Sequence, residues 1–269
     1  MPLAPVAAEA LGTALLVAVG CSLVIVDFGT GSAVVRALPS AALRRALTGL
    51  LFGTTGALIA LSPIGRVSGA HINPVVSLAF ALRGRLAPAV SVAYVVAQAV
   101  GATVGALPLL AWGAMGRSVA FAATTPGPAG DAAALAGEIL ATALLIAGLF
   151  TFLGHDRLKA WTPALFPALY AFLVLVEAPL SGTSTNPARS LGPGLIGHAL
   201  GSYWLYVAGP VLGMLLALAL WRLIPGLHRL ELEAAKVYHF AHDPHQIFHR
   251  HASRGPFAHD ASGRRPDDP

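Results

Sequence analysis

Long apolar runs dominate the chain. Six of them, at about residues 6 to 26, 42 to 62, 87 to 111, 132 to 153, 162 to 180 and 202 to 224, each approach the roughly 20 residues a helix needs to cross a hydrocarbon core. The pattern predicts six spanning helices, with breaks at Pro39-Ser40, Arg83-Gly84-Arg85, Thr124 to Pro128 and Gly154 to Arg157. Two shorter apolar segments, 68 to 82 and 181 to 197, begin with a small-residue turn and run for only a few helical turns, too short to span. Each carries Asn followed by Pro, Asn73-Pro74 and Asn186-Pro187, 113 positions apart. Asn caps a helix and Pro suits its first turn, so each pair can start a half-helix. One segment follows the second long run and the other the fifth, so they enter from opposite faces. The predicted fold is all-α: six transmembrane helices and two re-entrant half-helices in an inverted 3+3 repeat, with repeats at about 6–111 and 132–224. Broken helices of this kind are tolerated where they line a cavity inside the protein.

Composition agrees. Hydrophobic residues make up 56% of the 269 positions and charged residues 11%, against roughly 25% charged in soluble domains. A soluble surface, disorder and collagen are all excluded. With the N-terminus inside, that side receives Arg66, Arg83, Arg85, Arg157, Lys159, Arg222 and the basic residues of the tail, while the outer side receives Arg36, Arg44, Arg45 and Arg117. The excess predicts a multi-pass protein of the inner (plasma) membrane with both termini cytoplasmic. The first run has no basic residue ahead of it and carries Glu9, so it reads as a retained helix rather than a cleaved signal peptide. Cys21 stands alone among Val17, Leu23, Val24 and Ile25 and reads as packing. The net charge of +5 is spread over loops and tail without interleaved aromatics, which argues against nucleic acid.

The side-chain chemistry converges on the two short segments. The amides of Asn73 and Asn186 can donate hydrogen bonds to a passing oxygen while both half-helix N-termini point at it. A water held this way has its oxygen toward the centre, which interrupts a proton wire, and the converging positive ends oppose cations. Extended backbone around Gly69–Ile72 and Gly182–Thr185 offers a ladder of carbonyls. His71, beside the first ladder, either lines the pore or packs against a helix. Glu9 and Glu138 lie in apolar helices, where a charge costs several kcal/mol unless it is paired. Arg189, three residues after Asn186, must find acceptors or water. No nucleophile, base and metal-ligand set converges in the sequence, so the chain reads as neither an enzyme nor a cofactor or metal protein.

These residues resemble the major intrinsic protein family, the aquaporins and aquaglyceroporins (glycerol facilitators), and among them the bacterial aquaporin-like channels. The resemblance covers residues 3 to 224. It rests on Glu9 in Ala-Glu-Ala-Leu-Gly-Thr, Ser-Gly-Ala-His-Ile-Asn-Pro-Val at 68–75, Tyr94 to Gly101 with Gln98, Glu138, Gly-Thr-Ser-Thr-Asn-Pro-Ala-Arg-Ser at 182–190, and Gly209-Pro210. It implies a right-handed six-helix bundle whose half-helices meet at mid-membrane, assembled as a homotetramer with one pore per subunit. Asn73-Pro74-Val75 and Asn186-Pro187-Ala188 take the place of the paired Asn-Pro-Ala (NPA) motifs, with Val75 a packing change. Glu9 and Glu138 are implied to accept backbone N–H groups from the re-entrant loops. Arg189 is implied to be the cation of the outer selectivity filter, with Thr183 as its loop member and Val174 where water-selective members have His. The fourth filter position falls on Gly53 by direct count from Asn73, or on Phe52 across a one-residue insertion. Ser190 stands where glycerol facilitators have Asp.

Glu177 faces either the outer vestibule or the interface. Gln98, Gly101, Gly105 and Gly209 read as close helix contacts. The tail, 225–269, is rich in His and Arg and reads as a loose cytoplasmic segment, with a short amphipathic helix near 227–240 and a zinc or nickel site as lesser readings. The expected partners are membrane lipids, water and small uncharged solutes. The alternatives are a facilitator for glycerol, urea, ammonia or neutral metalloids with low water flux, and a non-conducting structural protein.

Overall fold

A computed structural model describes residues 3–228, 230, 232 and 234–238. Helices form wherever the apolar runs predict them: α1 (Leu3–Phe28), α2 (Ala41–Leu61), α3 (Pro74–Leu82), α4 (Pro88–Ala106), α5 (Gly130–Gly154), α6 (Thr162–Ser181), α7 (Pro187–Ile196) and α8 (Leu205–Leu223). Their ends follow local chemistry. The Ser40 hydroxyl accepts from Leu43 N at 3.3 Å to start α2, Pro88 stands in the first turn of α4, and Gly182 ends α6 in the left-handed region at φ 82°. The third predicted run continues past α4 as a tighter turn, Leu107–Trp112.

The result is an all-α, membrane-spanning bundle. Among the described residues five segments are long and apolar enough to cross a membrane, counting α4 with its extension to Arg117 and α6 from Lys159. The exception is α2, which is 21 residues long but carries Arg44, Arg45, Thr48, Thr54 and Thr55. Outward faces are apolar at one-turn spacing, as with Val92, Val96, Val100 and Val104, all more than half exposed. That pattern suits lipid or a neighbouring subunit rather than water.

Helices approach closely through glycine pairs four residues apart. A Cβ on Gly49 would stand 2.1 Å from the Tyr170 carbonyl oxygen and one on Gly53 2.4 Å from that of Phe166, so α2 and α6 touch backbone to backbone. Gly101 and Gly105 seat α4 on Ala10 and Ala14 of α1 in the same way, and Gly209 and Gly213 seat α8 on Glu138 and Ile139 of α5. Gly101 and Gly209 thus act as the sequence predicted. A Gly49→Val substitution is expected to separate α2 from α6 at a cost of about 1–3 kcal/mol or more, read as a lower thermal unfolding temperature in detergent.

Two apolar clusters flank the short helices. One gathers Val75, Val76 and Phe80 of α3 with Phe150 and Trp221. The other gathers Val17, Cys21 and Ile25 of α1 with Ala188 of α7. Val75 is fully buried and therefore packs rather than lines an opening. Cys21 is likewise fully buried.

Candidate pore

The short helices α3 and α7 start where Asn-Pro fixes them. Asn73 Oδ1 accepts from Val75 N at 3.1 Å, and Asn186 Oδ1 accepts from Ala188 N at 3.0 Å and Arg189 N at 3.2 Å. The opposite ends of the two amides cross over. Asn73 Nδ2 donates to Thr185 O at 2.9 Å, and Asn186 Nδ2 donates to Ile72 O at 2.9 Å. Each amide has two N–H groups, so each spends one on the other half of the chain and keeps one. Pro74, Pro187 and Ala188 are buried.

Ahead of each half-helix the backbone alternates into the left-handed region: Gly69, Ala70 and Ile72 at φ 86°, 55° and 41°, and Gly182, Thr183 and Thr185 at 82°, 53° and 51°. The correspondence is residue by residue at the 113-position offset. For β-branched Ile72, Thr183 and Thr185 this conformation costs about 1–3 kcal/mol each and persists only where surroundings impose it. Two buried carboxylates do so. Glu9 accepts from His71 N at 2.9 Å and Ile72 N at 2.6 Å. Glu138 accepts from Ser184 N at 2.6 Å, Thr185 N at 2.8 Å and the Ser181 hydroxyl at 2.6 Å. Tyr94 and Tyr206 close the matching ends, donating to Ser68 O and Ser181 O, each at 2.8 Å.

Behind the loops the two halves differ in chemistry. In the first, Gln98 Nε2 donates to Glu9 Oε2 at 2.7 Å and to Ser77 Oγ at 3.1 Å. Gln98 is therefore a polar brace and not the helix-contact residue predicted. Ser77 Oγ lies 3.0 Å from His71 Nδ1, and His71 Nε2 lies 2.9 Å from Ala235 O. A carbonyl only accepts, so Nε2 carries the proton and Nδ1 accepts from Ser77. In the second half, Ser184 bonds Ser190, which also accepts from Thr124 Oγ1 at 2.7 Å.

Two cavities lie along this axis. The inner one, about 50 Å³, is bounded by both Asn residues, His71, Phe52, Tyr170 and Val237. The outer one, about 310 Å³, is bounded by Arg189, Thr183, Val174, Phe52, Tyr170 and Arg45, among others. Phe52 and Tyr170 border both, with ring centroids 6.1 Å apart. The Arg189 guanidinium lies over the Phe52 ring at 5.6 Å and donates to Ala122 O at 3.1 Å. Of the two candidates on α2, Phe52 therefore meets Arg189, while Gly53 borders the inner cavity and presses its Cα side against Phe166 and Pro167. Val174 lines the outer cavity together with Thr183. Glu177 borders neither cavity. It is buried, 5% exposed, with its carboxylate against Gly137 of α5.

Tyr206, Tyr170 and Arg45 were not singled out from the sequence. Tyr206 was within reach, because it follows Tyr94 by nearly the same offset that separates the two Asn residues. Tyr170 sits one turn before Val174 on the same helix face.

Residues 3–221 fit the family described as "Major intrinsic protein". The chain belongs to the major intrinsic protein family. It is 35% identical over 213 residues to Aquaporin NIP1-2 of Oryza sativa subsp. japonica, covering 77% of this chain and 66% of that protein. It is 33% identical over 232 residues to Aquaporin Z of Rhodopseudomonas palustris, covering 81% and 91%. The X-ray structure of the aquaglyceroporin from Plasmodium falciparum superposes with a TM-score of 0.67 at 18% identity, covering 84% of this chain and 98% of that one, which supports the shared fold. As a major intrinsic protein the chain is a multi-pass membrane protein with a channel-type function for small polar solutes, not an enzyme. Among the described residues no group of three or more His, Cys, Asp or Glu could hold a metal ion. The tail histidines from His239 onward lie outside the described residues.

Proposed function

We propose that this major intrinsic protein is a passive pore for water and for at least one larger neutral solute, such as glycerol, urea, ammonia or a neutral metalloid hydroxide. In this reading α1, α2, α4, α5, α6 and α8 span the membrane, α3 and α7 enter from opposite sides, and residues 1–224 form the channel domain. Four copies assemble around a common axis, each with its own pore, in the plasma membrane with both termini cytoplasmic. The observation that carries the reading is the crossed pairing of Asn73 with Thr185 O and of Asn186 with Ile72 O. It leaves one N–H on each amide for a solute oxygen at the point where two helix N-termini converge.

The proposed roles follow from position. Glu9 and Glu138 hold the strained loops so that their carbonyls face the axis. Arg189, Phe52 and Thr183 form the selective constriction, with Val174 setting the width of its outer wall and Gly53 letting α6 approach. His71 belongs to the inner mouth. Val174, which lines the outer cavity with Thr183 and Arg189, offers neither the bulk nor the donor of a histidine. That is the observation favouring a neutral-solute facilitator as the second reading.

Stopped-flow light scattering on proteoliposomes carrying the full chain tests this, with water, glycerol, urea and neutral arsenite compared. At least one larger solute is expected to pass, and Val174→His is expected to reduce its uptake while water flux persists. Water flux with no larger solute would reject the wide filter. Transport against a gradient, or no flux of any solute by well-folded protein either full-length or ending at His228, would reject passive conduction itself.

A further inference from the structure

Beyond α8, the described residues 234–238 are packed against the bundle. A one-turn helix, Pro225–His228, follows α8, and residues 234–238 are non-helical. Leu232, Ala234, Ala235, Lys236 and Val237 are each at most 7% exposed. Their apolar side chains join the cluster of Val75, Phe80 and Trp221 beneath α3. Two backbone groups of the segment reach the candidate pore. Val237 N donates to Gly69 O at 2.9 Å, and Ala235 O accepts from His71 Nε2 at 2.9 Å. Val237 also forms part of the wall of the inner cavity that holds both Asn residues.

These are the bonds a permeating solute would need. Gly69 O starts the first loop's run of carbonyls, and the Nε2–H of His71 is the donor beside it. The tail supplies one N–H and one C=O in their place, with Val237 in the cavity wall. We infer that the inner vestibule is a binding site for the chain's own residues 234–238, which seat there as a plug and hold the pore closed.

The backbone pairs are solute-like, so the plug is an equilibrium, and if it leaves roughly one pore in ten open, releasing it raises flux on the order of tenfold. The inference rests on the channel reading. It also makes the tail the determinant of when the channel conducts, while the constriction of Arg189, Phe52, Thr183 and Val174 determines what it conducts.

The test compares osmotic water permeability of proteoliposomes bearing the full chain, the full chain with Ala235→Glu or Val237→Asp, and a chain ending at His228. A buried carboxylate at either position cannot remain seated unpaired. The variants and the shortened chain are expected to conduct on the order of tenfold faster than the parent at equal protein. A second measurement does not depend on flux: trypsin cleavage after buried Lys236, followed by mass spectrometry, is expected to be slow in the parent and fast in Ala235→Glu. Equal, measurable permeability in all four proteins, or equal cleavage after Lys236, would overturn the plug while leaving the channel intact. Permeability at the level of empty vesicles in every protein would remove the channel reading and the plug with it.

Discussion

Replacing Glu138 by alanine is expected to remove folded protein from the membrane fraction. The side chain is fully buried and accepts from Ser184 N, Thr185 N and the Ser181 hydroxyl. Alanine leaves all three donors without a partner, at about 1–3 kcal/mol each. It also releases the left-handed backbone at Thr183 and Thr185, whose strain the carboxylate offsets. The combined loss is of the same order as the roughly 5–15 kcal/mol by which a native domain is stable. Glu138→Gln is the informative partner. Its carbonyl oxygen still accepts, but its NH₂ faces an N–H, so it should fold with a lowered unfolding temperature and reduced flux. Size-exclusion chromatography in detergent and a thermal melt read both variants. A Glu138→Ala protein that elutes and melts like the parent would show that the loop holds its shape without the carboxylate. Glu9→Ala should behave alike, since it strands His71 N, Ile72 N and the Gln98 amide.

Most of the architecture was legible because a membrane leaves the backbone few choices. Every polar main-chain group must be satisfied within the segment, so a long apolar run becomes a helix, and Asn-Pro marks the start of the two that stop short. The repeat was legible for the same reason, since an offset of 113 aligns Asn73 with Asn186. It carries further than the Asn residues: the same offset aligns Ser68 with Ser181 and Ser77 with Ser190, and each pair repeats its structural role.

The wall of the pore was less legible. Counting along α2 left Phe52 and Gly53 open, yet the spacing of Gly49 and Gly53 tells their surroundings apart. Small residues four apart share one helix face and invite a neighbouring backbone, so Gly53 turns toward α6 and Phe52, one residue earlier, turns toward Arg189. The polar content of α2 follows from the same placement, because Arg45 and Thr48 border the outer cavity instead of lipid.

The tail was the least legible part. Its histidines and arginines dominate the composition, whereas the residues that insert, Leu232, Ala234, Ala235 and Val237, are too few and too unevenly spaced to register as an element. What orders them is the groove under α3, a tertiary feature with no local signature. Gln98 is a related case. Its neighbours Tyr94 and Gly101 suggest helix packing, and only the arrival of Glu9 from another helix makes its amide a brace.

Arg189→Ala is expected to convert a selective pore into a leaky one. Three things are lost at once: the bond to Ala122 O, the contact with the Phe52 ring, and a buried positive charge that borders the outer cavity. Among the described residues Arg189 has no ion pair with a carboxylate, so its field is left to act along the axis. A cation passing at about 5 Å meets roughly 3 kcal/mol of repulsion at an effective dielectric of about 20, a factor on the order of a hundred in rate. Removing that barrier should raise proton or cation leak toward that factor, and widening the constriction should raise glycerol and urea uptake. Arg189→Lys separates the two effects. It keeps the charge and loses the planar fork, so leak should stay low while discrimination among neutral solutes falls. Proteoliposomes holding a pH-sensitive dye under a potassium diffusion potential measure the leak, and light scattering measures the solutes. Both belong in the Ala235→Glu background, where the vestibule is expected to be open. If Arg189→Ala leaks no more than its parent there, exclusion of charge rests on the two Asn-capped helix ends alone, and the double variant Asn73→Asp with Asn186→Asp becomes the substitution that should admit cations.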